Sequence, residues 1–213
     1  MPDPWDTLTT WLPELPPEAL PGLREYTDRM QDWNTKVNLV SRKDMDQFVT
    51  KHLAHCLVAT KFLRLMDNAH LLDVGTGGGL PGIPLAICFP KAQFTLIDSV
   101  GKKVKVVEDF AQGMGLRNVN THHGRAEELP AKRKFDFVLG RAVTRIPVFH
   151  GWIKDKLRHG KKNSIPNGLI YWKGGDWKEE LQGHRLQPSR TWDVAKLLPE
   201  GDFEDKHILH FTA

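Results

Sequence analysis

Three glycines that could hold a ligand follow directly on a short apolar run. They are Gly75, Gly77 and Gly79, in the stretch LLDVGTGGGLPGIPLA that also contains Asp73. Glycine accepts positive φ and has no Cβ, so a ligand can lie against backbone N–H groups there. Because ligands of an open parallel sheet bind beyond the carboxyl ends of its strands, this spacing predicts a binding loop. A tight turn without a ligand is the alternative.

Two classes of ligand compete for this loop. Counted from Gly75, the G-x-G-x-x-G pattern of dinucleotide-binding proteins fails at Leu80, and a second frame that satisfies it begins late. The run D-x-G-x-G-x-G from Asp73 suits S-adenosylmethionine, which has no phosphate and needs a close turn beside its methionine part. No G-K-[ST] follows, which excludes a Walker phosphate loop.

Two further positions fit the S-adenosylmethionine hypothesis. Asp98 ends the second predicted strand, where its carboxylate can accept two hydrogen bonds from ribose hydroxyls. A dinucleotide site would also place an acid there, and a helix cap is a further alternative. Ala126 and Glu127, in GRAEEL after the third predicted strand, would lie near the adenine. In this order, the glycine loop and these residues indicate a methyltransferase.

The elements that must position these residues alternate between strand and helix from residue 69 onwards. Predicted strands are HLLDVG, QFTLIDS, NVNTHH, FDFVLGRA and NGLIYWKG, followed by RTWDVAKLL and KHILHFTA. Alternation of strands with helices predicts an α/β fold with a mostly parallel sheet. The last two strands, joined by the polar link PEGDFED, predict an antiparallel C-terminal edge pair. Gly115 is the expected stop of the helix KKVKVVEDFAQGMG.

Residues 1–66 predict a helical N-terminal cap, part of the same domain as a core at 67–213. The first helix has inward positions at Leu20, Leu23, Tyr26, Met30 and Trp33. This spacing makes Trp33 a core residue rather than a platform for stacking a base. The second helix is predicted to begin near Asp44, with inward positions at Met45, Val49, Leu53, Cys56 and Thr60.

Composition sets the remaining bounds. The 213 residues include 30 Lys and Arg against 26 Asp and Glu, a net charge of +4 that is too small to diagnose nucleic-acid binding. The two cysteines, Cys56 and Cys88, cannot make a disulfide framework and fit a reducing cytosol. No apolar run reaches the length of a membrane span, and the N-terminus has no export signal. We therefore expect a cytoplasmic protein, without membrane association.

Histidines and a cysteine are spaced like metal ligands at one place. His52, His55 and Cys56 share one predicted helix face, but a half-buried face explains them as well and no second ligand cluster accompanies them. His122 and His123 are neighbours on a predicted strand, so their side chains point to opposite faces. The expectation is that the protein binds no metal.

Taken together along the chain, the motifs of this sequence resemble those of one enzyme family, RsmG, also called GidB or glucose-inhibited division protein B. The motifs that carry the resemblance occur in order and run from about residue 32 to 174: WNTKVNLVSRKD, DVGTGGGLPGIPLAI, LIDSVGKKVKVV, GRAEE, GRAV and YWKGG. The resemblance implies a Rossmann-like class I methyltransferase fold with S-adenosylmethionine as donor. It implies as acceptor N7 of one guanine in 16S rRNA, at position 527 in the usual rRNA numbering.

Other functions stay open beside this one. The same fold could methylate a small molecule or a protein, or only bind S-adenosylmethionine or a nucleotide on the ribosome. A nicotinamide-dependent oxidoreductase is the most distant alternative. The resemblance implies 16S rRNA or the small ribosomal subunit as partner, and we expect a monomer.

The resemblance also implies roles for particular residues. Cofactor contacts are expected from Asp73, Gly75, Thr76, Gly77, Gly79, Leu80, Asp98, Ala126, Glu127 and Arg141. Arg141 and Lys173, at strand ends, are the expected catalytic residues. Guanine N7 has a free lone pair and loses no proton on methylation, so positioning and exclusion of water suffice and no general base is required.

RNA contacts should be basic, polar and aromatic. The expected set is Asn34, Lys36, Asn38, Arg42, Lys102, Lys103 and Lys173, with a solvated helix surface as the alternative. The chain departs from the family pattern in two places. Gly140 and Val143 flank Arg-Ala where the family has Ser-Arg-Ala-Phe. His55 and Cys56 replace Asp and Ser of a His-x-x-Asp-Ser pattern, so this chain has no carboxylate at that position for a cap-to-core contact.

Overall fold

The fold is built on one seven-stranded sheet. The computed structural model describes residues 3–130, 135–198 and 200–213. The strands are β1 (His70–Val74), β2 (Gln93–Asp98), β3 (Val119–His123), β4 (Phe137–Arg141), β5 (Gly168–Gly174), β6 (Arg190–Asp193) and β7 (Lys206–Thr212). Their order in the sheet is β3-β2-β1-β4-β5-β7-β6. The first five are parallel, and β7 runs antiparallel to both β5 and β6, which confirms the predicted sheet.

Helices cover both faces of the sheet, as a parallel sheet requires. They are α1 (Pro4–Trp11), α2 (Leu20–Asn34), α3 (Ala54–Leu57), α4 (Gly82–Cys88), α5 (Gly101–Gly113), α6 (Ile146–Ile153), α7 (Trp177–Leu181) and α8 (Val194–Leu197). Gly115 follows α5 with φ +65°, so it is the predicted stop. In the described ranges, no helix combines the length and apolarity needed to cross a bilayer.

Two sequence-based boundaries were wrong. The predicted strand RTWDVAKLL is a strand only as far as Asp193, whose side chain accepts a hydrogen bond from the amide of Ala195 and so starts α8. The predicted second cap helix is a succession of four helical pieces of different pitch. They are a 3-10 turn at Arg42–Gln47, a π-helix at Phe48–Leu53, α3, and a 3-10 turn at Val58–Lys61.

Residues along each strand alternate between two cores. Leu71 of β1 packs on the face that α1, α2 and α3 cover, whereas Leu72 packs on the face that α6 covers. The N-terminal helices therefore share a hydrophobic core with the sheet. Trp33 is half-buried and packs against that core, in line with its predicted role.

Candidate functional site

The glycine loop leaves the end of β1 with a left-handed backbone. The φ angles of Gly75, Gly77 and Gly79 are +68°, +59° and +92°. An L side chain is strained in this region, which is the predicted reason for glycine here. An added Cβ at Gly77 would meet no atom within 4 Å, so the space beside this glycine is open.

Asp73 supports the loop from behind. Its Oδ2 accepts hydrogen bonds from Thr76 Oγ1 at 2.6 Å and from the Gly82 amide at 3.0 Å. Burial raises the pKa of Asp73 to about 6, although both hydrogen bonds act against the rise. Asp73 and Thr76 are buried, and neither lines the two cavities described below. Both side chains support the loop, and their predicted contact with a cofactor stays a prediction.

A tyrosine of α2 holds the middle of the loop. The Tyr26 hydroxyl donates to the Gly78 carbonyl at 2.8 Å, and an added Cβ at Gly78 would meet Met30 at 2.7 Å. Leu80, at the end of the loop, is buried in the same core. Its predicted contact with a cofactor stays a prediction. Sequence reasoning placed Tyr26 only on an inward helix face. The available signal was that a buried tyrosine needs a hydrogen-bond partner.

The Asp98 carboxylate ends β2 and faces the glycine loop. Its Oδ2 accepts from the Gly77 amide at 2.9 Å, and its Oδ1 accepts from the Val100 amide at the same distance. The bond to Val100, just before α5, resembles the capping alternative. The bond to Gly77 joins the ends of β1 and β2, and each oxygen keeps a second lone pair for a ligand.

A cavity of about 110 Å³ lies beside Asp98 at the carboxyl ends of β1 and β2. It brings together four predicted cofactor residues, Gly75, Asp98, Ala126 and Glu127. Its apolar lining consists of Val74, Ile97, Ala126, Val143 and Trp152. Neither Val143 nor Trp152 was predicted, since each lies far along the chain and neither residue type signals a nucleoside site by itself.

A larger crevice of about 720 Å³ opens at the carboxyl ends of β4 and β5. Val143 lines both cavities, so the crevice adjoins the smaller one. Its other walls come from the cap, the end of β5, α7 and the start of β7. The charged and polar lining is Asp44, Lys51, His52, His55, Arg141, Thr144, Arg145, Lys173, Glu180, Asp202 and Lys206.

Arg141 joins the sheet to the cap. Its NH2 group lies 3.2 Å from Nδ1 of His52, and NH1 lies 3.6 Å from Sγ of Cys56. The contact between cap and core thus persists through an imidazole and a thiol. Burial, reinforced by the positive charge of Arg141, lowers the pKa of His52 to about 4 and of His55 to about 3. Both rings are therefore neutral near pH 7, and His52 Nδ1 can accept from Arg141.

Lys173 is paired with a carboxylate that the sequence did not reveal. Its Nζ lies 2.6 Å from Oε1 of Glu180 in α7. The other oxygen of Glu180 accepts from the Ile146 amide at 3.0 Å, at the start of α6. Burial opposes ionisation of Glu180, but the hydrogen bonds from Lys173 and Ile146 outweigh it and hold its pKa below the usual value.

The segment after Arg141 is held in an unusual conformation. Ala142 has φ +54°, which is strained for a residue with a Cβ. The Tyr171 hydroxyl accepts from the amides of Val143 and Thr144, at 3.2 and 3.0 Å, and donates to the Thr144 carbonyl at 2.7 Å. Tyr171 therefore fixes the wall between the two cavities.

The predicted RNA-contact residues fall into two groups. Asn34 is only 4% exposed, and its Oδ1 accepts from the amides of Leu39 and Val40, so its side chain fixes the turn after α2. Its predicted RNA contact stays a prediction. The exposed members are Lys36, Asn38, Arg42 and Lys102, and Lys103 is half-buried. These five stay predictions, and Lys173 lies inside the crevice.

The histidine positions considered for a metal have other contacts. His52 lies beside Arg141, and His55 is buried with its backbone carbonyl accepting from Trp172 Nε1 at 2.8 Å. His123 Nε2 lies 3.2 Å from the Ser99 carbonyl oxygen. Within the described part of the chain, no three His, Cys, Asp or Glu side chains are grouped to hold a metal ion.

Comparison with known proteins places this arrangement in a family. The family model described as "GidB: rRNA small subunit methyltransferase G" matches residues 19–200. A ribosomal RNA small subunit methyltransferase G of Cytophaga hutchinsonii is 42% identical over 199 residues, covering 93% of this chain and 95% of the relative. The protein of that name from Flavobacterium psychrophilum is 45% identical over 180 residues, 84% of each chain.

A solved structure shares the fold at much lower sequence identity. A chain of a fibrillarin/Nop5p complex aligns with a TM-score of 0.57 and 12% identity, over 75% of this chain and 79% of that one. At such identity the likeness shows the fold alone.

Proposed function

The chain belongs to the GidB family, rRNA small subunit methyltransferase G, and on that premise we propose how its two cavities divide the reaction. In this proposal the enzyme methylates N7 of the guanine at position 527 of 16S rRNA in the usual numbering, in line with its family of small-subunit rRNA methyltransferases. S-adenosylmethionine is the methyl donor in this proposal, and it binds in the smaller cavity. The guanine enters the larger crevice, carried by the RNA or by the small ribosomal subunit in the cytoplasm.

The observation that carries this proposal is the setting of Asp98. Its carboxylate lies beside a cavity with apolar walls, next to a glycine loop with open space at Gly77. Apolar walls suit an adenine, and the remaining lone pairs of a carboxylate suit ribose hydroxyls. The residues present therefore fit the nucleoside part of S-adenosylmethionine.

The chain's own residues have little proton chemistry to perform. When bound, S-adenosylmethionine would supply an electrophilic methyl group on a sulfonium, which suits the free lone pair of guanine N7. Val143 and the Tyr171-braced segment separate the two cavities and set the approach of one reactant to the other. Arg141 directs a fixed positive charge into the crevice, where it can face phosphate or a base oxygen. Catalysis by positioning and exclusion of water is sufficient.

Transfer of labelled methyl groups tests the proposal. Purified protein is incubated with labelled S-adenosylmethionine and with 16S rRNA or small subunits from a strain that lacks the modification. We expect label at one guanine, located by chemical cleavage at N7-methylguanine. Label in an RNA-free extract would favour a small-molecule or protein substrate. Donor binding without any transfer, or tighter binding of NADH than of S-adenosylhomocysteine, would reject the enzyme proposed here.

A further inference from the structure

We propose that the Lys173–Glu180 ion pair recognises the acceptor guanine by its Watson–Crick edge. The inference rests on the proposed function, because it assigns these side chains to the base that is methylated. The two charged groups lie 2.6 Å apart, with side chains 16% and 19% exposed, and both line the larger crevice. They are thus sheltered from bulk water yet open to a molecule in the crevice.

The pair has hydrogen-bonding capacity left over. An ammonium has three N–H donors, and Lys173 uses one on Glu180. The two oxygens of Glu180 take one bond each, from Lys173 and from the Ile146 amide, so each keeps a lone pair. A fixed donor and a fixed acceptor therefore stand side by side.

This donor and acceptor match guanine and mismatch adenine. Guanine presents the O6 acceptor beside the N1–H donor, so Lys173 can donate to O6 while Glu180 accepts from N1–H. Adenine presents an amino donor and an N1 acceptor in the reverse order, which sets donor against donor and acceptor against acceptor. With adenine, the ammonium of Lys173 and the carboxylate of Glu180 would be left without hydrogen-bond partners on the base, and in a site sheltered from water this disfavours binding of adenine.

The order of the strands gives room for this orientation. The ends of β1, β4 and β5 are neighbours, and adjacent strands lie about 4.8 Å apart, so β5 ends about 10 Å from β1. The glycine loop follows β1 and Lys173 lies on β5. N7 and N1 are on different edges of a purine, with O6 between them. A guanine whose N7 faces the glycine loop therefore directs N1 toward the ion pair.

Base analogues at the target position provide the test. 2-Aminopurine keeps N7 and the 2-amino group but lacks O6 and N1–H, whereas inosine keeps O6 and N1–H and lacks the amino group. The kcat/KM for methylation of guanine, 2-aminopurine and inosine RNA is measured for wild type, Lys173→Met and Glu180→Gln. Lys178→Met and Glu179→Gln, exposed neighbours in α7, are the matched controls. Affinity for S-adenosylhomocysteine and the thermal midpoint report the fold.

For wild type and controls, we expect kcat/KM to be at least about tenfold higher with guanine RNA than with 2-aminopurine RNA. The reason is that 2-aminopurine cannot form the hydrogen bonds to the two charged groups. In Lys173→Met and Glu180→Gln the ratio of kcat/KM for guanine to that for 2-aminopurine falls toward one. The ratio of kcat/KM for inosine to that for guanine stays as in wild type. A merely structural ion pair would lower all three rates in proportion, and an unchanged preference in both folded variants overturns the inference. Wild type that methylates no guanine RNA would instead overturn the proposed function.

Discussion

Asp98 illustrates how one side chain serves two purposes at the site. Its oxygens accept from the amides of Gly77 and Val100, which ties the glycine loop to the end of β2 before any ligand arrives. The same carboxylate borders the smaller cavity. The loop is thereby preorganised, and less conformational entropy is lost on binding.

We predict that Asp98→Ala lowers the affinity for S-adenosylhomocysteine at least about tenfold, because bonds to the ribose and to Gly77 disappear together. Asp98→Asn, which keeps the shape without the charge, should be intermediate. Titration calorimetry measures the change, with Asp67→Asn as a control at an exposed ion pair with Lys91. Full affinity in Asp98→Ala would contradict the assignment.

At this scale the sequence predicts which residues meet but not which side of the loop they face. Gly75, Asp98 and Glu127 share one cavity as expected, since strand ends in a parallel sheet converge. Asp73 and Thr76 belong to the same motif yet point into the core. The motif fixes their order along the chain, whereas the direction of a side chain depends on the backbone turn.

Among the elements, α2 acts as a brace for the glycine loop. The Tyr26 hydroxyl is the contact that joins them, through the buried Gly78 carbonyl. Loss of that hydroxyl leaves the carbonyl without this partner in a site closed to water.

We predict that Tyr26→Phe lowers the free energy of unfolding by about 1–3 kcal/mol and weakens binding of S-adenosylhomocysteine. Tyr171→Phe is the matched comparison, since its hydroxyl bonds to Val143 and Thr144 instead. It should reduce methyl transfer more than donor affinity. Urea denaturation measures the stability of both variants, calorimetry their affinity for S-adenosylhomocysteine, and a methyl-transfer assay their activity. Equal losses of stability, affinity and activity in the two variants would argue against separate roles for the two tyrosines.

The family departure at residue 140 has a packing cause. An added Cβ on Gly140 would lie 2.6 Å from the ring of Phe149 and 2.7 Å from that of Tyr171. We predict that Gly140→Ser destabilises the protein by about 1–3 kcal/mol, the usual range for overpacking. Gly151→Ser is the control, because its Cβ would meet nothing within 4 Å. Thermal unfolding measures both, and equal midpoints would contradict this reading.

Element boundaries show where local pattern stops being informative. The apolar spacing from residue 45 to 60 predicts a helix, and the segment is helical, but its pitch changes three times. The inward spacing is compatible with several pitches, so packing against α1 and the sheet decides. The end of β6 is similar, because a capping aspartate converts a plausible strand into a helix.

Across the whole molecule, part of the acid response comes from three groups whose pKa values are shifted mainly by burial, His52, His55 and Asp73. The pKa of His52 is about 4 and that of His55 about 3, so the unfolded chain binds protons on them between pH 6.5 and 4 that the folded protein does not. Stability therefore falls as the pH drops through that window. The pKa of Asp73 is raised from 3.8 to about 6, so the folded protein binds a proton on Asp73 more readily than the unfolded chain does. This group therefore gains stability as the pH falls, and the gain offsets the loss from about one histidine.

We predict that His55→Gln flattens this dependence. Each fully buried neutral histidine lowers the free energy of unfolding by about 1.4 kcal/mol per pH unit below 6.5, which gives about 2 kcal/mol between pH 7 and 5. Urea denaturation at the two pH values measures the difference between wild type and variant. The exposed His184→Gln is the control. If the free energy of unfolding of His55→Gln changed with pH as steeply as that of wild type, His55 would not be a source of the pH dependence.

The topology of the sheet could be predicted from the alternation of elements, because chain connectivity leaves few arrangements of a parallel sheet. The side-chain contacts of the larger crevice could not be predicted in this way. Arg141 meets His52 across 89 positions of the chain, and Lys173 meets a glutamate that looks like any exposed helix residue. The Arg141–His52 contact exists only once distant segments pack, and the Lys173–Glu180 pair depends on how the chain turns between β5 and α7, which residue spacing does not encode.

The placement of β7 between β5 and β6 has a consequence for biosynthesis. In the described part of the chain β6 pairs with β7 alone, and β7 is synthesised after it, so β6 has no strand to pair with until Lys206–Thr212 has been made. The edge of β5 that pairs with β7 is uncovered until then as well. A premature stop between Asp193 and Lys206 would delete β7 and leave β6 unpaired, and the exposed strand edges could then pair with other chains.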